Sequence, residues 1–139
     1  MYLLDTNVIS ELRKSSVGKI DRRVEAWAAN SKLELQFLSV ITVLELEMGA
    51  LLMERRDTRQ GAALRSFLEY TVLPKFEMRV LGVNIEIARR CANLHVPNPR
   101  SYRDSLIAAT ALVHGFTVVT RNVHDFESTG VAILNPWEA

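Results

Sequence analysis

The chain has 139 residues, 48% of them hydrophobic, and 17 Lys and Arg against 16 Asp and Glu leave a formal net charge of +1. This length and apolar share suit one compact domain over residues 1–139 and exclude long disorder. The near-neutral balance excludes holding a polyanion through the overall field, so such a partner would need local cationic patches or a bound metal. Cys91 is the single cysteine, which excludes an internal disulfide and a thiolate zinc site and points to a reducing compartment. No apolar run approaches the roughly 20 residues of a membrane span, and Tyr2-Leu3-Leu4 lacks the basic start of a signal peptide. A soluble, cytoplasmic protein is expected.

In chain order, Tyr2–Leu4 is a short apolar strand closed by Asp5-Thr6-Asn7, which leads into a helix. Asp21 is placed to cap a helix with Val24, Trp27 and Ala28 on its apolar face. Leu35–Leu38 reads as a second strand, followed by Ser39 and Thr42 as candidate caps. The next helix carries Ile41, Leu44, Met48, Leu51 and Leu52 at helical spacing, which predicts a core-facing stripe. Arg55–Arg59 breaks that pattern and reads as a solvated connection. Leu64, Phe67 and Leu68 mark another helix, expected to stop before Pro74. A third strand over Arg79–Val83 precedes a helix capped by Asn84 and running towards Asn93. After the Pro97-Asn98-Pro99 loop comes a helix from Tyr102 to His114, closed by Gly115. Phe116–Thr120 and Val131–Leu134 complete five strands separated by helices. The alternation predicts an α/β three-layer sandwich around a central five-stranded, mainly parallel sheet.

In such open sheets, ligands bind beyond the carboxyl ends of the strands. The residues there are Asp5-Thr6-Asn7, the Ser39–Glu45 segment and Arg121–Asp125. Each acid has an ordinary reading alone. Asp5 can be a helix cap, and Asp104 a first-turn acid favoured by the helix dipole. Glu45 interrupts an apolar stripe, where a charge is costly unless it is paired or reaches solvent. Asp125, in a polar turn, can be a surface acid. Together they make a different case. Carboxylates gathered at one sheet edge raise one another's pKa and destabilise the empty fold. A hard cation such as Mg²⁺ relieves that conflict, and the chemistry such a site supports is phosphodiester hydrolysis. Neutralising one acid of the cluster is therefore expected to stabilise the metal-free protein.

Four segments carry a family resemblance. Tyr2-Leu3-Leu4-Asp5-Thr6-Asn7-Val8-Ile9-Ser10 resembles the opening of a PIN domain, specifically the VapC-type toxins of bacterial toxin–antitoxin modules. Leu38–Leu46 resembles the second motif of that family, Arg103–Ala111 the third and Val119–Phe126 the fourth, while Asn135-Pro136-Trp137 is similar to the FitB-like subgroup. The resemblance implies a PIN-like fold and Mg²⁺-dependent endoribonuclease activity, with Mn²⁺ substituting and RNA as substrate. It also implies a cognate antitoxin, promoter DNA contacted only through that antitoxin, and a homodimer. By the same resemblance Asp5, Glu45 and Asp104 are core metal carboxylates, and Thr6 and Thr120 orient them. Asn122 and Asp125 compete for the fourth position, and Arg121 is the candidate phosphate contact.

Other chemistry has less support in the residues. His95, His114 and His124 lack zinc-protease spacing, and no glycine-rich phosphate loop occurs. Arg89-Arg90 and Arg100-x-x-Arg103 can meet RNA phosphates or merely face water. Trp27 and Trp137 are expected to pack in the core or at a dimer contact rather than stack bases. An Asp-based phosphotransfer enzyme would want a second acid two residues after Asp5, where Asn7 stands. A non-catalytic antitoxin-binding module would be expected to lack the acids.

Overall fold

Leu3 and Leu4 are neighbours in sequence and both fully buried, as are Val118 and Val119. Successive side chains of a strand point to opposite faces, so these pairs require a sheet covered on both sides. The computed structural model, which describes residues 1–138, has that arrangement. Strands β1 (Tyr2–Leu4), β2 (Gln36–Ser39), β3 (Val80–Leu81), β4 (Thr117–Val119) and β5 (Ile133–Leu134) form a 5-stranded sheet in the order β3-β2-β1-β4-β5. Every ladder is parallel, with Leu3 opposite Phe37 on one side and Val118 on the other.

One face of the sheet packs Leu4, Leu38 and Val119 against Val8, Val24, Leu68, Phe76 and Trp137. The other packs Leu3 and Val118 against Ile107, Ala108, Ala111 and Phe126. The helices that supply these layers are α1 (Thr6–Leu12), α2 (Arg22–Asn30), α3 (Val40–Arg56), α4 (Thr58–Phe67), α5 (Leu73–Lys75), α6 (Ile85–Leu94), α7 (Tyr102–His114) and α8 (Val123–Phe126). Side chains of Asp21, Ser39, Asn84 and Ser101 accept amide hydrogen bonds at the starts of α2, α3, α6 and α7. Gly115 closes α7 in the left-handed conformation that glycine adopts without strain. Among the described residues, no helix is long and apolar enough to cross a membrane.

Four local expectations are corrected. Arg55–Arg59 is not an open connection: α3 runs through Arg56, and Asp57 alone separates it from α4, its carboxylate accepting the Gln60 amide at 3.1 Å. Thr42 caps nothing; it lies within α3 and is buried. Pro74 does not end the helical segment. A π turn over Leu68–Val72, closed by the Leu73 amide donating to the Leu68 carbonyl, changes the ladder register before the proline, and the helical path continues into α5. The stripe on α3 does not face the core, since Leu44, Met48, Leu51 and Leu52 are 41–61% exposed. The helix instead turns Thr42 and Ala50 inward, and α4 packs closely against it at Glu54.

That close approach depends on Gly61. A Cβ there would lie 2.5 Å from the Glu54 Cα, well inside contact distance. Across the same hairpin, Arg65 reaches Glu47 at 2.6 Å and Glu54 at 3.3 Å. Gly61→Ala is expected to push α4 off α3 and cost roughly 1–3 kcal/mol. Gly49→Ala, within α3 and facing open space, should gain up to about 1 kcal/mol of helix propensity. Urea midpoints of the two variants should move in opposite directions. A shared direction would rule out close packing as the role of Gly61.

Candidate active site

The sheet order places a switch point beside β1. From β1 the chain builds outward to β2 and β3 on one side, then to β4 and β5 on the other. A crevice therefore opens between the carboxyl ends of β1 and β4. Asp5 leaves β1 there and Thr120 leaves β4, and the Asp5 amide donates to the Val119 carbonyl at 2.9 Å.

Asp5 is buried, and its carboxylate accepts three hydrogen bonds. The Thr6 amide donates to Oδ1 at 2.8 Å; the Thr120 hydroxyl and the Asn7 side-chain amide donate to Oδ2 at 2.8 and 3.2 Å. Burial pushes its carboxyl above the ordinary value, the Thr120 and Thr6 hydrogen bonds pull it down, and the Glu45 charge pushes it up again. With both oxygens engaged, Asp5 is poorly placed as a nucleophile, which counts against phosphotransfer. Glu45 enters from α3. Its Oε1 accepts the Thr6 hydroxyl at 2.7 Å, and its Oε2 lies 3.6 Å from Arg103 Nη1. The buried Thr42 hydroxyl sits 3.3 Å from that of Thr6. Thr6 thus links two acids, one through its amide and one through its hydroxyl.

Asp104 enters from the first turn of α7. Its carboxyl is pushed up to about 6, first by burial and then by the charges of Asp5, Asp125 and Glu45, with Arg103 partly opposing them. The fourth segment is tied to the same centre. The Asn122 amide donates to Thr120 Oγ1 at 3.0 Å, and the Arg121 amide to Asn7 Oδ1 at 3.2 Å. Asn122 lines the cleft of about 380 Å³ together with Asp5, Thr6, Glu45, Asp104 and Arg121. Asp125 is exposed on α8 and lines the adjoining depression, within electrostatic reach of Asp104. The Arg121 guanidinium lies 5.3 Å above the ring of Trp137, which is buried in the core.

Among the described residues, no three Asp, Glu, His or Cys side chains converge into a ready-made metal cage. The facing groups are carboxylate and amide oxygens, a set that suits a hard cation keeping several of its waters. Trp27 packs edge-on against Tyr2 at 5.4 Å, and Cys91 is buried. None of His95, His114 and His124 is among the residues that line the cleft.

Some cleft residues escaped the sequence reading. Asn7, placed beyond the first strand by the sequence but given no role there, bridges Asp5, Thr120 and Arg121. Glu11 is buried beside the cleft, bonded to the Asp21 amide at 2.8 Å and to Lys14 at 2.9 Å. Desolvation raises its carboxyl, but the Asp21 amide and Lys14 hold it below the ordinary value. The only advance signal was an acid on an otherwise apolar turn after Val8 and Ile9.

The model of the family described as "PIN domain" matches residues 2–131. The chain belongs to the PIN-domain family. It is 41% identical over 143 residues to "VapC ribonuclease Y4jK" of Sinorhizobium fredii, covering 99% of each chain. It is 37% identical over 147 residues to "Toxin FitB" of Neisseria gonorrhoeae, again covering 99% of each. A solved structure described as FitAB bound to an IR36 DNA fragment superposes with a TM-score of 0.87 at 35% identity, covering 99% of this chain and 96% of that one. The sandwich expected of a PIN domain is the fold observed, with a sheet that is parallel throughout.

Two acids of this PIN domain should respond oppositely to neutralisation in the metal-free protein. Asp104 has a folded-state carboxyl at about 6 against an ordinary 3.8. Folding therefore favours its protonated form, and the stability this contributes is lost as pH rises from the lower value to the higher. Asp104→Asn should melt above the parent near neutral pH by about 1 kcal/mol, allowing for solvent screening and the lost helix-dipole contact. The gap should close as pH falls towards the ordinary carboxylate value. Asp5→Asn should melt lower instead, because an amide cannot accept all three donors and one stays unpaired at a cost of roughly 1–3 kcal/mol. Melts in chelator across that pH range check both signs.

Proposed function

We propose that this PIN domain, spanning residues 1–139, is a metal-dependent endoribonuclease and the toxin member of a toxin–antitoxin pair. The observation that carries the reading is that Asp5, Glu45 and Asp104 line one cleft at a sheet switch point, where burial and the facing acids push the Asp104 carboxyl up. A site that concentrates negative charge and still has to admit an RNA phosphate needs a cation. The relatives named as a VapC ribonuclease and as a toxin support the reaction class and the biological role.

Asp5, Glu45 and Asp104 would hold Mg²⁺, or Mn²⁺ in its place, with Asn122 or Asp125 at the fourth position. When bound, the ion lowers the pKa of a water and offsets the phosphate charge. The chain's own groups position that chemistry. Thr120 and Asn7 hold Asp5, and Thr6 holds Glu45. Arg121, braced on Trp137, reaches for a phosphate oxygen. Hydrolysis forms a bond from the water oxygen to phosphorus and breaks the bond to the departing ribose oxygen. The protein acts in the cytoplasm, where its RNA substrate lies. Its partner is a cognate antitoxin, through which promoter DNA is contacted; a relative described as FitAB bound to an IR36 DNA fragment supports a DNA-bound pair.

Chelation should abolish cleavage of RNA, and Mg²⁺ or Mn²⁺ should restore it. Asp5→Asn, Glu45→Gln and Asp104→Asn should each lose more than Thr120→Val, which is expected to lose roughly 10–100-fold, the usual effect of a group that orients a metal ligand. Full activity in chelator, or in the Glu45→Gln protein, would overturn the assignment.

We also propose a homodimer, supported by the exposed stripe of Leu44, Met48, Leu51 and Leu52 on α3. Light scattering should give a dimer for the parent chain. It should give a monomer for Leu51→Glu combined with Leu52→Glu, and a parent that is already monomeric at micromolar concentration contradicts this.

A further inference from the structure

Tyr102, the first residue of α7, is 74% exposed. Its ring nevertheless has a fixed support. It stacks on His95 with centroids 4.7 Å apart and planes inclined by 30°. His95 is held at both ring nitrogens: Nε2 lies 2.8 Å from Ser105 Oγ, and Nδ1 accepts the Arg100 amide at 3.5 Å. Ser105 is buried, and its hydroxyl donates to the Ser101 carbonyl at 2.7 Å. It therefore accepts from His95 Nε2–H, and the buried Cys91 thiol donates to it as well, at 3.3 Å. Both ring nitrogens of His95 and the Ser105 hydroxyl have partners. One face of the ring is covered by a fixed imidazole, and most of the ring's surface meets water.

The neighbours of Tyr102 explain why an aromatic would be kept there. Arg103 is 52% exposed and 3.6 Å from Glu45 at the cleft, and Asp104 follows it. Successive side chains of a helix are turned by about 100° within a cylinder about 10–12 Å across. The ring therefore stands on the flank of α7 next to the Arg103 guanidinium, and a strand with a phosphate on Arg103 can reach it with a base one or two nucleotides away. The other aromatics do not offer this. Trp137 lines the cleft but is only 7% exposed and lies under Arg121, Trp27 is half-buried against Tyr2, and the exposed Tyr70 lines a separate groove with Phe67 and Leu12.

We propose that Tyr102, backed by His95, is a stacking platform for one base of single-stranded RNA, beside the nucleotide whose phosphate enters the cleft. This rests on the ribonuclease reading above. A base in a duplex has both faces covered by its neighbours, so the platform selects unpaired RNA; Arg103 supplies the adjacent phosphate contact.

The test is fluorescence anisotropy in Mg²⁺, with a labelled, short, unstructured and non-hydrolysable RNA of mixed sequence, over a series of monovalent salt. Tyr102→Ala should bind roughly 5- to 100-fold more weakly at every salt concentration, with the slope of log Kd against log salt unchanged, because stacking releases no counterions. Tyr102→Phe and Tyr102→Trp should stay within about threefold of the parent, since every aromatic ring offers a stacking face. Arg103→Gln should instead lower that slope by about 1. Duplex RNA of the same sequence should show no effect of Tyr102→Ala. In the metal-loaded protein the same change should raise KM and leave kcat unaltered. Equal binding by Tyr102→Ala and the parent overturns the platform. So does Tyr102→Leu binding as well as Tyr102→Phe, or a loss confined to affinity for a protein partner. A parent chain that neither binds nor cuts RNA would instead fail the ribonuclease reading itself.

Discussion

A carboxylate buried at the end of a central parallel strand must have its lone pairs answered, and the surroundings of Asp5 are arranged to answer them. Thr6 and Asn7 come from its own strand exit, and Thr120 from the exit of β4. Those hydrogen bonds pin the two halves of the sheet together at the switch point. Thr120 and Asn7 then hold the Arg121–Asn122 segment in turn. A single buried acid thereby sets the position of two strand ends and the turn after them, and the cleft takes its shape from that constraint.

Around this centre the acids divide by environment. Asp5 is saturated with donors and Glu45 shares Thr6 and Arg103, whereas Asp104 has three facing charges and only Arg103 to oppose them. Asp104 is therefore where the repulsion among the acids collects. It also sits on the helix turn that carries Tyr102 and Arg103, so charge, phosphate contact and base contact all depend on how that turn is anchored. The cluster behind it fills that role, half-buried His95 and the buried Cys91 both bonding to the buried Ser105 hydroxyl.

Much of this was legible in the residues and some was not, for local reasons. Tyr2–Leu4, the caps Asp21, Ser39 and Asn84, and the helix from Tyr102 to His114 stand where propensity and capping put them. Each is decided by side chains within a few positions of the backbone they serve. The stripe on α3 misled because helical spacing reports which residues share a face, not which face meets the core. The face that meets the core carries Thr42 and Ala50, and the close approach of α4 at Gly61 lies across Glu54 rather than across the leucines. Pro74 misled because a π turn upstream had already changed the hydrogen-bond register. Asn7 and Glu11 passed as ordinary polar residues, since their partners lie at Thr120, Arg121 and Asp21, which spacing does not reveal.

By itself, the sequence determined the alternation of strand and helix, the two-faced burial of β1 and β4, and the presence of acids and hydroxyls just past strand ends. All of these follow from short-range periodicity and capping. The tertiary structure alone decided the strand order. That order sets β4 beside β1 and so brings Thr120, 115 residues away, to within 2.8 Å of the Asp5 carboxylate. It also decided which acids share a low-dielectric space, and hence that Asp104 carries the raised pKa. A pKa depends on distances and desolvation across the whole fold, and neither exists until the chain has closed.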